Sequence, residues 1–331
     1  MEKTPEQYIN KLIEVFKEIK RILHPSGICW INIGDTYYNY RGNTDYQTKQ
    51  TISNSEACVM NSPSGKRNYK SNNLKSKDLI GIPWMLAFAL RDDGWYLRQD
   101  IIWSKGNPMP ESVKDRCTKS HEYVFLLTKS QHYFYDADAI QEKATGYDRK
   151  NDDTSYGDNG VDFQEHSGYN KLNNSFVRNK RSVWNINTKP FKDAHFAVFP
   201  EELSKTCIKA SVSKKGNCSI CGEPYVRDFE YGEIGNKDTR DYMRGIYPNR
   251  PTSTQSVKME FKPKKFIGWK QSCNCKNNQI IKPIIIDPFF GSGTTGVVAK
   301  KLMCNYIGIE LNPNYVKIAK DRLMYITKRW W

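Results

Sequence analysis

Ile284-Ile285-Ile286-Asp287-Pro288-Phe289-Phe290-Gly291-Ser292-Gly293-Thr294-Thr295-Gly296 is the stretch that decides the fold. The isoleucines read as a buried strand, Asp-Pro and the glycines break it, and the residues after Gly293 open a helix. Gly291, Gly293 and Gly296 form G-x-G-x-x-G, a turn whose bare backbone lets a nucleotide-like ligand come close. Nineteen residues after Gly291, Glu310 ends the next apolar strand, Tyr306-Ile307-Gly308-Ile309. An acidic side chain there can accept hydrogen bonds from ribose hydroxyls. A nicotinamide-binding domain carries this unit early and follows it with further βαβ units. Here only 21 residues follow Glu310, and they read as one helix. The rest of the sheet therefore precedes the glycine turn, so the ligand-binding half is last and the chemistry half first. A phosphate loop is disfavoured, because no lysine follows the glycines directly.

Charge and composition point to a polyanionic partner. The 331 residues hold 51 Lys and Arg against 36 Asp and Glu, a formal charge of +15 and a pI near 9.2. Such a field favours nucleic acid through counterion release and steering, although a generic basic protein would show it too. Aromatic residues make up 13%, including 20 Tyr, and offer stacking surface for an extruded base. No run of eighteen apolar residues occurs and the amino end is amphipathic, so the expected location is cytoplasmic, with no membrane partner. Nine cysteines, an odd number scattered along a large chain, argue against a disulfide framework.

From the amino end, Thr4-Pro5-Glu6-Gln7 gives an N-cap, a first-turn proline and a capping-box glutamine. Tyr8, Leu12, Phe16, Ile19 and Leu23 follow at helical spacing. Ile28–Ile33 reads as a strand ending in Gly34-Asp35-Thr36-Tyr37, where α/β folds place ligands, although Asp35 is also a turn-former by type. Residues 38–77 are a polar insertion. A helix is expected over about Ser76 to Asp92, then strands over Tyr96–Trp103, Glu122–Thr128 and His132–Asp136. A second polar stretch covers residues 144–182. Val183-Trp184-Asn185-Ile186 and Ala194–Leu203 follow, the latter entering a helix after Pro200.

Asp287-Pro288-Phe289-Phe290-Gly291-Ser292-Gly293-Thr294-Thr295 resembles the S-adenosylmethionine turn of the β-group, amino-directed DNA methyltransferases. Those enzymes modify N4 of cytosine or N6 of adenine. Trp103-Ser104-Lys105, Asn107-Pro108-Met109-Pro110-Glu111-Ser112, Asp115-Arg116 and Ser120-His121-Glu122 are similar to the group's pattern beside the target base. The resemblance implies an α/β fold: a Rossmann-like methyltransferase sheet in circularly permuted order. It implies that 1–143 is the target-base half, 144–182 reads the recognition sequence (a solvated loop is the alternative), 183–210 walls the cofactor and 279–331 binds it. Implied cofactor contacts are His195, Phe199, Asp287, Phe289, Gly291, Gly293, Thr294, Thr295 and Glu310. Lys105 and Arg116 are expected on DNA phosphates and Asn107 on a base edge, with Asp35 assisting catalysis. The substrate is double-stranded DNA, with cytosine slightly ahead of adenine, and a restriction endonuclease is the expected counterpart.

Residues 211–278 form an insertion containing Cys218-Ser219-Ile220-Cys221-Gly222 and Cys273-Asn274-Cys275. A C-x-x-C knuckle plus a second close pair supplies four thiolates, so a zinc-knuckle-like structural Zn2+ site at Cys218, Cys221, Cys273 and Cys275 is expected. A redox pair and independent thiols are the alternatives.

One family feature has no match. The group's Asp/Asn/Ser-Pro-Pro-aromatic loop, which orients the target amine, does not occur; Asn61-Ser62-Pro63-Ser64 lacks the second proline and the aromatic. The strand before that loop would lie between Ile284–Ile286 and Ile28–Ile33, so two inner edges are expected to lack a neighbour. Three explanations stand: a recorded start inside a longer frame, a small second subunit that supplies the loop, or an inactive relative that still binds DNA and cofactor.

Overall fold

The computed structural model describes residues 2, 4–38, 73–143, 170–172, 175–189, 198–231, 264–276 and 279–328. They divide into two compact units, Met1–Phe134 with Arg181–Leu203, and Tyr135–Lys180 with Ser204–Trp331.

The first unit opens with α1 (Pro5–Ile22), whose Thr4 side chain accepts from the Gln7 N–H at 3.2 Å. Ile9, Phe16 and Ile19 are its buried positions. β1 (Ile28–Ile33), β2 (Tyr96–Ser104) and β3 (His121–Thr128) form an antiparallel trio in the order β1-β3-β2. β3 lies between its partners and buries Val124, Phe125, Leu126 and Leu127 to within 2% of full burial. Alternate side chains of a strand point to opposite faces, so burial of four successive residues means that both faces are covered. α2 (Ile82–Asp92) contributes Leu86 and Leu90 to this core, and its Trp84 meets Phe125 edge-on at 5.2 Å.

α2 begins later than its sequence suggests. Lys77 and Gly81 take left-handed φ of 77° and 85°, and Pro83 sits in the first turn. Lys77, Asp78 and Ile80 instead bond to the chain after β1, with Lys77 N–H on Tyr38 O, Tyr38 N–H on Asp78 O and Ile80 N–H on Thr36 O. The expected strand at His132–Asp136 does not form. Phe134 spends its N–H on the isolated carbonyl of Ser26, and a 3-10 turn over Ala137–Ile140 follows under an Asp136 cap.

The second unit contains β4 (Glu142–Lys143), β5 (Asn170–Leu172) and β6 (Ser175–Arg178), a small sheet in the order β4-β6-β5. In the first unit β7 (Val183–Asn185) joins β2 in parallel and completes the four-stranded sheet. α3 (Glu201–Ser211) leads on to β8 (Asn217–Cys218), β9 (Val226–Tyr231), β10 (Lys264–Lys270) and β11 (Ile280–Ile281), which pair as β8 with β11 and β9 with β10. The chain ends in β12 (Ile284–Asp287), α4 (Thr294–Lys301), β13 (Asn305–Gly308) and α5 (Pro313–Lys328). β12 and β13 are parallel and α4 connects them, the βαβ unit that the glycine turn announces. Ile208 of α3 packs with Val298 and Ala299 of α4 and Cys304, with Ile285 and Tyr306 beside them, so the helix after Pro200 does cover the glycine-turn unit. Among the described residues β1 pairs with β3 alone and β12 with β13 alone, which leaves one edge of each without a strand neighbour.

Candidate active site

The turn between β12 and α4 is fastened from three directions. Asp287 closes it from below, accepting the Phe289 N–H on Oδ1 at 2.9 Å and the Thr295 hydroxyl on Oδ2 at 2.5 Å. Glu310, just past β13, accepts the Gly291 N–H on Oε2 at 2.8 Å and the Asn312 N–H on Oε1 at 2.8 Å. Arg322 of α5 donates from Nη1 to the Ser292 carbonyl at 2.7 Å, the Ser292 hydroxyl at 2.9 Å and the Thr294 hydroxyl at 3.1 Å.

The glycines divide the labour. Gly293 needs its freedom for conformation, with φ of 80° and a Cβ that would lie 2.9 Å from that of Ala319. Gly296 needs it for packing, since a Cβ would meet the Phe290 ring at 2.5 Å; Phe290 stacks on Tyr306 at 6.1 Å. Among the described residues, the nearest neighbour to a Cβ at Gly291 is the Phe289 carbonyl at 4.0 Å, so of the three turn glycines this one has open space over its backbone. Phe289 is 57% exposed, an aromatic face beside the open position. Thr294 is buried and bonded to Arg322, and Thr295 is committed to Asp287, so both expected contacts serve the turn itself.

Of the two cofactor-wall residues, His195 lies outside the described residues, and Phe199 is half-buried in the first unit. Most of the polar insertion 38–77 and of the stretch 144–182 also lies outside them.

In the first unit the chain beyond β1 carries a dense polar cluster. Asp35 accepts N–H groups from Thr36 at 2.9 Å, Gly81 at 3.0 Å and Ile82 at 3.1 Å. Gly81 has no side chain with which to cap α2, so Asp35 caps it from another segment and fixes the helix start against β1. This engagement gives the expected catalytic assistant a structural task. The half-buried Lys119 donates to the Asp35 carbonyl at 2.9 Å, and loss of solvent pushes its pKa down against the pull of Asp35, Glu122 and Glu111.

Each expected DNA contact also has an internal partner. Lys105 pairs with Glu122 and lies over the Trp103 ring at 4.6 Å. Asn107 clips Thr188 at both main-chain groups, donating to its carbonyl at 3.0 Å and accepting its N–H at 2.8 Å. Arg116 donates to Glu111 at 2.5 Å and covers Tyr37 at 4.0 Å, and the pairing holds the Glu111 carboxyl below its ordinary range.

Comparison with known sequences gives the family. The profile of the N6_N4_Mtase family, DNA methylase, matches residues 1–244 and 278–321. The chain belongs to this DNA methylase family. It is 38% identical over 325 residues to the Type II methyltransferase M.Cfr9I of Citrobacter freundii, covering 98% of this chain and 73% of that one. To the Type II methyltransferase M.SmaI of Serratia marcescens it is 35% identical over 317 residues, covering 96% and 74%. A solved structure titled PvuII DNA methyltransferase (cytosine-N4-specific) covers 98% of this chain and 76% of its own at 12% identity and a TM-score of 0.49, too remote to argue from. By family, this methylase is an S-adenosylmethionine-dependent enzyme that acts on DNA. No helix among its described residues is long and apolar enough to cross a membrane.

The methylase also gathers four of its nine cysteines. The Sγ atoms of Cys218, Cys221, Cys273 and Cys275 all lie within 4.8 Å of one another. Gln271 donates to Cys273 Sγ at 3.0 Å, which favours the thiolate and lowers that pKa to about 6. Hydrogen bonding with Cys221 raises Cys275 to about 12.

Two contributors were given no role in the sequence: Arg322 and Phe290 act through tertiary contacts that no local pattern encodes. Glu122 was singled out within Ser120-His121-Glu122, but its partners Lys105 and Asn32 are identified only by the pairing of β3 with its neighbours.

Proposed function

We propose that this methylase transfers the methyl group of S-adenosylmethionine to an exocyclic amine of one base at a specific site in duplex DNA, with N4 of cytosine ahead of N6 of adenine. The observation that supports the reading best is the open backbone at Gly291 beside the Glu310 carboxylate. A carboxylate offers about four acceptor positions. Two of these on Glu310 hold main-chain N–H groups, which leaves capacity for a pair of ribose hydroxyls. Phe289 would flank the adenine, and Asp287 with Thr295 would hold the turn that carries the backbone to the ligand. The cofactor supplies an electrophilic methyl on a sulfonium sulfur. The protein's share is to hold an extruded base with its amine in line and water excluded, where orientation provides most of the acceleration. Relatives named as Type II methyltransferases support action in the cytoplasm opposite a restriction endonuclease that cuts the same site.

A second reading has an observation of its own. The 331 residues contain no Pro-Pro pair, and β1 and β12 each keep an edge without a strand neighbour among the described residues. On this reading the amine-orienting loop comes from residues outside these 331, and this chain alone binds cofactor and DNA without turnover. Incubation with labelled S-adenosylmethionine and unmethylated DNA, followed by nucleoside mass spectrometry, separates the two. N4-methylcytosine or N6-methyladenine supports the enzyme and names the base. Adenosylhomocysteine binding with no methylated nucleoside supports the second reading, and absence of both refutes each.

We also propose that Cys218, Cys221, Cys273 and Cys275 hold a structural zinc ion. Four thiolates at about 2.3 Å from a tetrahedral zinc stand about 3.8 Å apart, within the span that these sulfurs occupy. No fifth ligand position is suggested, so the ion would be structural. Elemental analysis of the purified chain should find one zinc per chain, lost in Cys218→Ser; a metal-free, cooperatively folded chain would refute it.

A further inference from the structure

The ribbon of β9 and β10 grows directly out of the cysteine cluster. β9 starts five residues after Cys221, and β10 ends three residues before Cys273. Two isolated strands cannot bury a core of their own, so their side chains show what they are built to meet. One face carries an interlocked ladder. Phe229 meets Phe266 at 5.9 Å, Phe266 meets Trp269 at 5.8 Å, and the Arg227 guanidinium lies 5.0 Å from the Trp269 ring and 5.5 Å from that of Phe266. Arg227 is fixed from behind by an ion pair of 2.7 Å to the buried Asp136.

The pairing register slips between Phe266 and Gly268, so Ile267 is an extra, bulged residue. A bulge re-aims side chains and sharpens the local twist. Here it leaves Phe266 44% and Ile267 56% exposed at the crest, with the exposed Lys265 beside them. Among the described residues nothing covers this large aromatic and its β-branched neighbour, which together make a contact surface. The composition of the insertion selects the partner: from Ser211 to Asn278 the sequence has thirteen Lys and Arg against seven Asp and Glu. A protein or lipid tail would suit the apolar crest alone, whereas duplex DNA suits both the crest and the charge. Two-stranded ribbons fit the major groove, and apolar wedges enter between base steps.

We infer that the β9–β10 ribbon is a second DNA-contacting element of the methylase, with Phe266 and Ile267 against the bases or sugars and Lys265 against phosphate. The inference rests on the family's action on DNA, and adds a contact separate from the cofactor turn and from the polar cluster beyond β1. It assigns to the cysteine insertion the task of widening the footprint on the substrate.

The test is fluorescence anisotropy of a labelled mixed-sequence duplex with the full chain, in a salt series, comparing wild type with Phe266→Ser/Ile267→Ser and with Lys265→Glu. These residues are exposed, and an unchanged cooperative melt checks that each variant folds. The crest variant should bind about five- to twentyfold more weakly, on the scale of base–aromatic stacking. Lys265→Glu should lower the slope of log K against log salt by about one, the share of a single phosphate contact. Wild-type affinity and slope in both variants would overturn the inference. Absence of any wild-type binding would overturn the DNA reading itself, and the ribbon with it. Should the crest variant unfold, Lys265→Glu and hydrogen-exchange protection of 226–230 and 264–270 by the duplex decide the matter.

Discussion

Glu310 Oε2 and the main-chain nitrogen of Gly291 stand 2.8 Å apart, so the residue just past one strand steadies the turn that follows its parallel neighbour. The same carboxylate orients the open backbone and, on our reading, meets the ribose. Two functions on one side chain make it the sharpest probe of the ligand-binding half.

Glu310→Ala should weaken adenosylhomocysteine binding at least tenfold, about 1.4 kcal/mol, because it removes an acceptor from the ligand and loosens Gly291. Glu310→Gln, which retains one acceptor oxygen, should fall between. Calorimetric titration reads both, and wild-type affinity in the alanine variant would remove Glu310 from the site.

Arg322 is a brace, and its loss should appear in stability before chemistry. Arg322→Met strands the Ser292 carbonyl and the hydroxyls of the buried Ser292 and Thr294. A loss of about 2–3 kcal/mol is expected from charge-assisted hydrogen bonds of this kind. Urea unfolding measures it; a change below about 0.5 kcal/mol, the range of ordinary surface substitutions, would show the brace to be incidental.

Asp35 separates capping from chemistry. Asp35→Ala should cost about 1 kcal/mol as a lost cap, and Asp35→Asn much less. Neither should lower kcat at saturating substrate by the hundredfold or more typical of a lost general acid or base. Thermal melts with single-turnover methyl transfer give both numbers. A hundredfold fall in Asp35→Asn at unchanged melting temperature would return Asp35 to the chemistry.

Glu111 gives the pH dependence a sign. Its hydrogen bond to Arg116 lowers the folded-state pKa below 4.5, so the pair's stabilisation is complete above that value and disappears as pH falls through the folded pKa. Wild type and Glu111→Gln should therefore differ most in melting temperature near neutrality and converge in acid. Parallel curves down to the acid limit would show that the pair contributes nothing to the fold.

The glycine turn was legible because everything it needs is local: a β-rich strand, an Asp-Pro break, glycines and a helix start. The helix at Pro5 was legible for the same reason. What the sequence hid was partnership. Lys105, Asn107 and Arg116 were recognisable as polar groups near a strand end, yet the residues that engage them stand 17, 81 and 5 positions away. Basic and amide side chains look identical in sequence whether they face a phosphate or a neighbouring carboxylate. The failed strand at His132–Asp136 has the same origin, since β-propensity predicts a strand only where a partner edge is present. The cysteines are the converse case, where residue type outweighed an awkward spacing and the thiols do converge.

That convergence bears on how the chain can change over time. The two thiol pairs stand at the feet of an excursion of about fifty residues, and the entropy of closing such a loop grows only slowly with its length. With the feet joined by the proposed zinc ion, the excursion could lengthen, shorten or exchange its contents while the β12–α4–β13 unit keeps its register. A lineage selected to meet new DNA sequences would have here a socket whose contents can be replaced without rebuilding the enzyme.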